Sequence, residues 1–205
     1  MMLPLESLFG WLNLAGIGVF AASGALAAAR QRLDIVGACF FAIVTATGGG
    51  TLRDLLIDAS VFWMIDPRPV VLCCTVAILV WGVPLRWWPE RALEWLDAAG
   101  LAAFSVYGAG KALQAGFPPV PAIAAGVITA SVGGVIRDIV AGVPSVLMRK
   151  EIYVTASLTS AFLFVFLSSI GMPAPWPSAA GFLVGFALRG AAIRWQLKLP
   201  SHRGG

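Results

Sequence analysis

Charge, histidine and cysteine are all scarce in this chain. Of 205 residues only 12% are Asp, Glu, Lys or Arg, histidine occurs once, and there are three cysteines. The lone histidine, His202, lies in a Pro-Ser-His-Arg-Gly-Gly tail, so no His/Cys metal centre can be assembled. Cys39, Cys73 and Cys74 fall within apolar stretches, and an odd count without surface spacing supplies no disulfide framework; they read as small core residues. The patterns G-x-S-x-G, P-loop, G-x-G-x-x-G and H-E-x-x-H do not occur. Nothing in the chain therefore points to an enzyme, and no cofactor is expected.

What the chain has is apolar length. Hydrophobic residues make up 59%, mean hydropathy is +0.88, and runs of about 20 apolar residues recur along it, which predicts an all-α integral membrane protein. The net charge of +4 would suit a nucleic-acid partner in a soluble protein. Here the basic residues cluster between apolar runs, which membrane topology explains, so no nucleic acid is expected. The first run begins at Phe9, after Glu6 and with no basic segment or small-residue cleavage site, and reads as a retained helix rather than a signal peptide.

Seven spans are predicted, over 9–29, 34–60, 69–88, 94–115, 119–142, 152–171 and 176–197. Arg30 and Arg32 follow the first, Arg86 and Arg91 the third, Arg149 and Lys150 the fifth, and Arg189, Arg194, Lys198 and Arg203 close the last, while the alternate loops hold only Arg68. The positive-inside rule then puts the amino terminus outside and the carboxyl terminus in the cytoplasm of a cell inner membrane. Trp87, Trp88, Trp95, Trp176 and Trp195 fall near span ends and read as an interfacial belt.

Two stretches interrupt this apolar pattern. Thr45-Ala46-Thr47-Gly48-Gly49-Gly50-Thr51-Leu52-Arg53-Asp54 sets three glycines and two opposite charges inside the second span, and Thr129-Ala130-Ser131-Val132-Gly133-Gly134-Val135-Ile136-Arg137-Asp138 repeats the arrangement eighty-four residues later. The same shift aligns Trp11 with Trp95, Leu12 with Leu96, Gly16 with Gly100, Phe20 with Phe104, Gly24 with Gly108 and Met64 with Met148. Each unit holds three spans. An odd number makes the second copy enter the membrane from the opposite side, so the halves are predicted to be inverted repeats. One membrane domain over 1–205 then divides into repeat one at 9–90, repeat two at 94–172, a seventh helix at 176–197 and a cytoplasmic tail at 198–205. In the seventh helix Gly181 and Gly185 allow close helix contact, more often within a chain than between subunits.

Glycines weaken a helix by roughly 1 kcal/mol each, and a charge near the bilayer centre costs at least about 2.5 kcal/mol. The expectation is a broken helix at each motif, with free backbone groups lining water, and Thr51 capping the new half-helix with Asp54 in its first turn. Adjacent helical residues point about 100° apart, which favours crosswise pairs, Arg53 with Asp138 and Arg137 with Asp54. Those charges admit two readings: pins between helices, or pins that also border a hydrated path. Lys111 either snorkels to headgroups or lines that path. Asn13 and Asp97 are repeat equivalents placed near an interface. Thr45, Thr47, Thr129 and Ser131 could offer hydroxyls or simply bond back to their own helices.

The doubled Gly-Gly-x-x-Arg-Asp in a three-plus-three-plus-one pattern resembles the prokaryotic trimeric intracellular cation (TRIC) channels, also labelled a glycine transporter family. The resemblance covers 9–196. It implies a homotrimer in membrane lipid, each protomer holding a pore for monovalent cations such as K⁺ and Na⁺, bounded by helices one, two, four and five and kinked at the glycine motifs. Carried over by motif, the positions are Gly48, Gly49, Gly50, Arg53, Asp54, Gly133, Gly134, Arg137 and Asp138, with Lys111 matching a lysine often found in helix four. The chain departs at Val132, where the first copy has Gly48, so the second motif is a double glycine. The basic lipid-binding signature of animal relatives is missing, and phosphoinositide regulation is not carried over. From the residues themselves three activities remain open: a passive cation channel, a secondary transporter of a small zwitterion such as glycine, and a non-transporting scaffold.

Overall fold

A computed structural model describes residues 5–146, 152–173 and 175–198. Met148 of the repeat, the basic residues Arg149, Lys150 and Arg203, and the single histidine, His202, lie outside the described residues. Within them the protein is all-helical: α1 (Leu5–Arg30), α2 (Ile35–Leu56), a single turn α3 (Phe62–Ile65), α4 (Arg68–Trp81), α5 (Ala92–Gln114), α6 (Pro119–Val140), α7 (Val154–Ser169) and α8 (Trp176–Trp195). Four of these are long and apolar enough to cross a membrane, namely α1 from Gly10, α2, α6 and α8. At 23 residues α5 has the length but carries Glu94, Asp97 and Lys111, and α4 and α7 are shorter apolar helices. With exposed Val36, Phe40, Leu79, Phe162 and Leu183 on the outer faces, this is a multi-pass membrane protein.

Local chemistry sets the boundaries. Asp34 caps α2 by accepting from the Gly37 amide at 2.8 Å. Prolines open α4, α6 and α8 in their first turns, where no backbone donor is lost. Gly116 and Gly142 take positive φ beyond the ends of α5 and α6. The third predicted span, 69–88, contracts to a helix ending at Trp81, since Pro84 follows and the chain turns through a short 3₁₀ segment, Leu85–Trp87. The second, 34–60, stops at Leu56, because Asp58 adopts a left-handed conformation and the chain folds back into α3.

At the centre α1, α2, α5 and α6 pack together, with α4 against α1 and α2, α7 against α5 and α6, and α8 against α5 and α7. Small residues permit the close approach. The rings of Phe20 and Phe104 meet at 5.2 Å between centroids, Phe104 lying over Gly16 and Phe20 over Gly100. Low numbers in α1 thus meet high numbers in α5, so the pair is antiparallel. Gly181 and Gly185 both face Ser160 of α7, and the Ser160 hydroxyl donates to the Gly181 carbonyl at 2.8 Å, so these glycines serve packing within the chain. Cys73 is buried, and Cys39 and Cys74 are half-buried free thiols.

Candidate functional site

Both motifs are helical throughout: α2 runs uninterrupted across Gly48, Gly49 and Gly50, and α6 across Gly133 and Gly134. The expected breaks are therefore replaced by a crossing. A Cβ on Gly49 would overlap the Thr129 carbonyl oxygen, and one on Gly133 would overlap the Thr45 carbonyl oxygen. Missing side chains let the two backbones touch while each helix keeps its own hydrogen bonds, which satisfies the polar groups that a break would have freed. Gly48 differs, its added Cβ meeting only Cδ1 of Ile136, and at Gly50 it would meet the Phe62 ring. Thr51 is no cap either. Its hydroxyl donates to the Thr47 carbonyl at 2.8 Å and accepts from Trp63 Nε1 at 2.9 Å. Thr47 and Thr129 bond back to Ile43 and Ala125, and Thr45 and Ser131 are buried beside the crossing.

The charged residues pair with their neighbours, which corrects the crosswise expectation. Arg53 Nε donates to Asp54 Oδ1 at 2.9 Å, and Arg137 donates to Asp138 Oδ1 through Nε at 3.0 Å and Nη2 at 2.8 Å. Despite the 100° step between neighbours, an arginine is long enough to curl around the helix and reach the next residue's carboxylate. All four are buried. Each aspartate also receives a backbone amide eight residues on, Phe62 to Asp54 at 3.0 Å and Val146 to Asp138 at 2.9 Å, tying the loop after each helix to the motif.

Beyond this shared frame the two clusters differ. Lys111, which could have snorkelled to headgroups, donates from Nζ to Asp54 Oδ1 at 2.7 Å, and the Arg53 guanidinium lies 5.1 Å from the Tyr107 ring centroid. Around Arg137 the extra partners are acidic and neutral: Nη1 donates to Asp97 Oδ1 and to Ser23 Oγ, each at 2.6 Å. Asp97, expected near an interface, is instead 2% exposed and part of the cluster. Two buried carboxylates thus share one arginine here, whereas two cations share one carboxylate at Asp54.

A cavity leads to each cluster, at opposite ends of the α1/α5 pair. One of about 350 Å³ is lined by Gly10, Asn13, Ser60, Phe62 and Lys111, with an exposed Asp66–Arg68 pair at its rim. Hydrogen bonds from Arg68 hold the Asp66 carboxyl below the ordinary carboxylate range. The other, about 160 Å³, is lined by Ala27, Arg30, Glu94, Arg137 and Asp138. Between them stand the Phe20–Phe104 contact and the glycine crossing.

Comparisons with known proteins identify the family. The sequence model of the family described as Glycine transporter matches residues 10–84 and 94–169. An inner membrane protein of Escherichia coli K12, UPF0126 protein YadS, is 39% identical over 197 residues, covering 93% of this chain and 94% of that protein. The solved TRIC channel orthologue from Rhodobacter sphaeroides superposes with a TM-score of 0.87 at 41% identity, over 93% of this chain and all of that one. This chain belongs to the TRIC family. A prokaryotic TRIC channel solved in 0.5 M KCl matches with a TM-score of 0.87 at 28% identity, over 95% of this chain and 100% of that one.

Several residues of this TRIC protein's clusters escaped the sequence reading. Ser23 and Tyr107, which approach Arg137 and Arg53, are eighty-four residues apart, a signal available in the repeat. Arg189 reads from sequence as one of the basic residues closing the last span, yet it is 2% exposed, with its guanidinium 5.1 Å from the Tyr153 ring centroid. A lone arginine within an apolar run was its signal.

Proposed function

We propose that this TRIC protein is a passive channel for monovalent cations such as K⁺ and Na⁺, acting as a homotrimer in the inner membrane with one pathway per protomer. The observation that carries the reading is the pair of cavities entering from opposite ends of α1 and α5, one reaching Lys111, which bonds the buried Asp54, and the other reaching the buried Arg137 and Asp138; buried charge in membrane-spanning helices marks ion pathways. The solved relatives are TRIC cation channels, which supports the same reading. The pathway is bounded by α1, α2, α5 and α6, and its lining includes Gly48, Gly49, Gly50, Thr51, Arg53, Asp54, Lys111, Ser131, Gly133, Gly134, Arg137 and Asp138.

Seven spans, α1, α2, α4, α5, α6, α7 and α8, form two inverted repeats over 9–90 and 94–172 with α8 added, within one domain over 1–205. Paired contacts at the eighty-four-residue shift support this: Gly49 on Thr129 with Gly133 on Thr45, and Phe104 on Gly16 with Phe20 on Gly100. With the amino terminus outside, the Lys111 cavity is the outer mouth and the Glu94 cavity the cytoplasmic one.

The chemistry assigns separate tasks. Asp54 and Asp138 neutralise arginines that would otherwise repel K⁺, and threonine and serine hydroxyls beside the crossing offer oxygen to a partly dehydrated ion. Phe20 and Phe104, pressed together over glycine, form an apolar barrier that holds the pathway shut until the helices separate. Purified protein in planar bilayers tests the proposal. Discrete current steps whose reversal potential follows the K⁺ gradient are expected; saturable glycine uptake without steps would replace the channel by a transporter, and neither activity would leave a scaffold.

A further inference from the structure

We infer that Arg189, carried into the core by α8, is a built-in counter-cation that limits how strongly the cytoplasmic mouth prefers cations. The inference rests on the channel reading above. Whatever the repeat duplicates, including the Arg–Asp pairs, the amides that cap them and the helix ends, acts alike at both mouths. The difference between the mouths must come from charges without an equivalent. Asp97 stands where the first repeat has Asn13, Glu94 where it has Gly10, and Lys111 where the first repeat has Ala27. The unmatched Asp97 and Glu94 therefore lie at the cytoplasmic mouth and the unmatched Lys111 at the outer one, where Asp66 and Arg68, also without equivalents, offset each other as an ion pair.

Two arginines oppose those carboxylates. Arg30 is exposed, bonded to the Glu90 carbonyl at 2.7 Å and screened by solvent. Arg189 is buried away from solvent and lines a void of about 30 Å³ together with Glu94, Asp97, Arg137 and Asp138, so its positive charge sits where a cation would meet those carboxylates. Its place is held firmly. The Tyr153 ring lies beneath the guanidinium, Gly190 seats α8 against the Trp95 ring, and Arg91 Nη1 donates to the Ile193 carbonyl at 2.7 Å. Because α8 lies outside both repeats, it adds this cation at one mouth only.

The test measures the K⁺ over Cl⁻ permeability ratio of the full chain in planar bilayers under a tenfold KCl gradient. Arg189→Gln is expected to raise the ratio, on the order of two- to tenfold for the removal of one buried positive charge several ångströms away. Arg189→Lys should keep the wild-type ratio, Asp97→Asn should lower it, and Asp97→Asn with Arg189→Gln should bring it back. A purely structural role would reduce the yield of folded protein and leave the ratio unmoved. A conducting Arg189→Gln protein with the wild-type ratio overturns the inference, as does Asp97→Asn with that ratio should Arg189→Gln not fold. Wild-type protein that passes no K⁺ current would instead remove the channel reading and this inference with it.

Discussion

Gly49 of α2 and Thr129 of α6 are in backbone contact, and Gly133 and Thr45 repeat the contact with the helices exchanged. Since a methyl group at either glycine meets a carbonyl oxygen that cannot swing away, Gly49→Ala and Gly133→Ala should each cost about 1–3 kcal/mol, the usual range for overpacking. Gly48→Ala, which meets only the mobile end of Ile136, should cost clearly less. Thermal unfolding in detergent checks the ranking, and equal losses at Gly48 and Gly49 would contradict the crossing.

Gly18 supplies the opposite control. Nothing lies within 4 Å of where its Cβ would be, so Gly18→Ala should raise stability by up to about 1 kcal/mol through helix propensity. A fall in melting temperature would show a close contact at that face.

Asp54 answers two cations at once. Asp54→Asn should destabilise by about 3–5 kcal/mol, since Arg53 and Lys111 lose their shared carboxylate in the interior. Adding Lys111→Met should recover part of the loss, because Lys111 then no longer needs a counter-charge. A double-mutant cycle measures the coupling, and strict additivity would place Lys111 outside the cluster.

Arg137→Ala strands both Asp97 and Asp138, whereas Arg53→Ala leaves Asp54 still paired with Lys111. The first substitution should therefore be the more damaging, by at least about 1 kcal/mol on the scale of buried ion pairs. Chemical or thermal unfolding of the two variants side by side decides it.

At the rim of the Lys111 cavity, Asp66 has its pKa depressed by Arg68, so the pair's contribution is present above the unfolded carboxylate pKa and lost as pH falls through the lower folded value. Both groups face water. Between neutral pH and mild acid this pair should not alter stability, and Asp66→Asn should stay within about 0.5 kcal/mol of wild type. A larger change at neutral pH would mean the rim is more enclosed than its exposure implies.

Composition and apolar run length were enough to determine a multi-pass, all-helical membrane protein, because a chain in lipid must satisfy its backbone within helices. The eighty-four-residue shift likewise marked out the paired motifs and brought Arg53, Asp54, Arg137 and Asp138 forward as buried charges. Only the tertiary structure decided what the glycines do and whom the charges meet. Spacing along one helix says where a side chain is missing; whether that gap frees the backbone or admits a second backbone depends on the facing helix, and α6 fills it. In the same way Asp97, Lys111 and Arg189 acquire their partners only through the packing of helices distant in sequence, with α8 seated on α5 and α7, since ion pairing follows distance in space and not position in the chain.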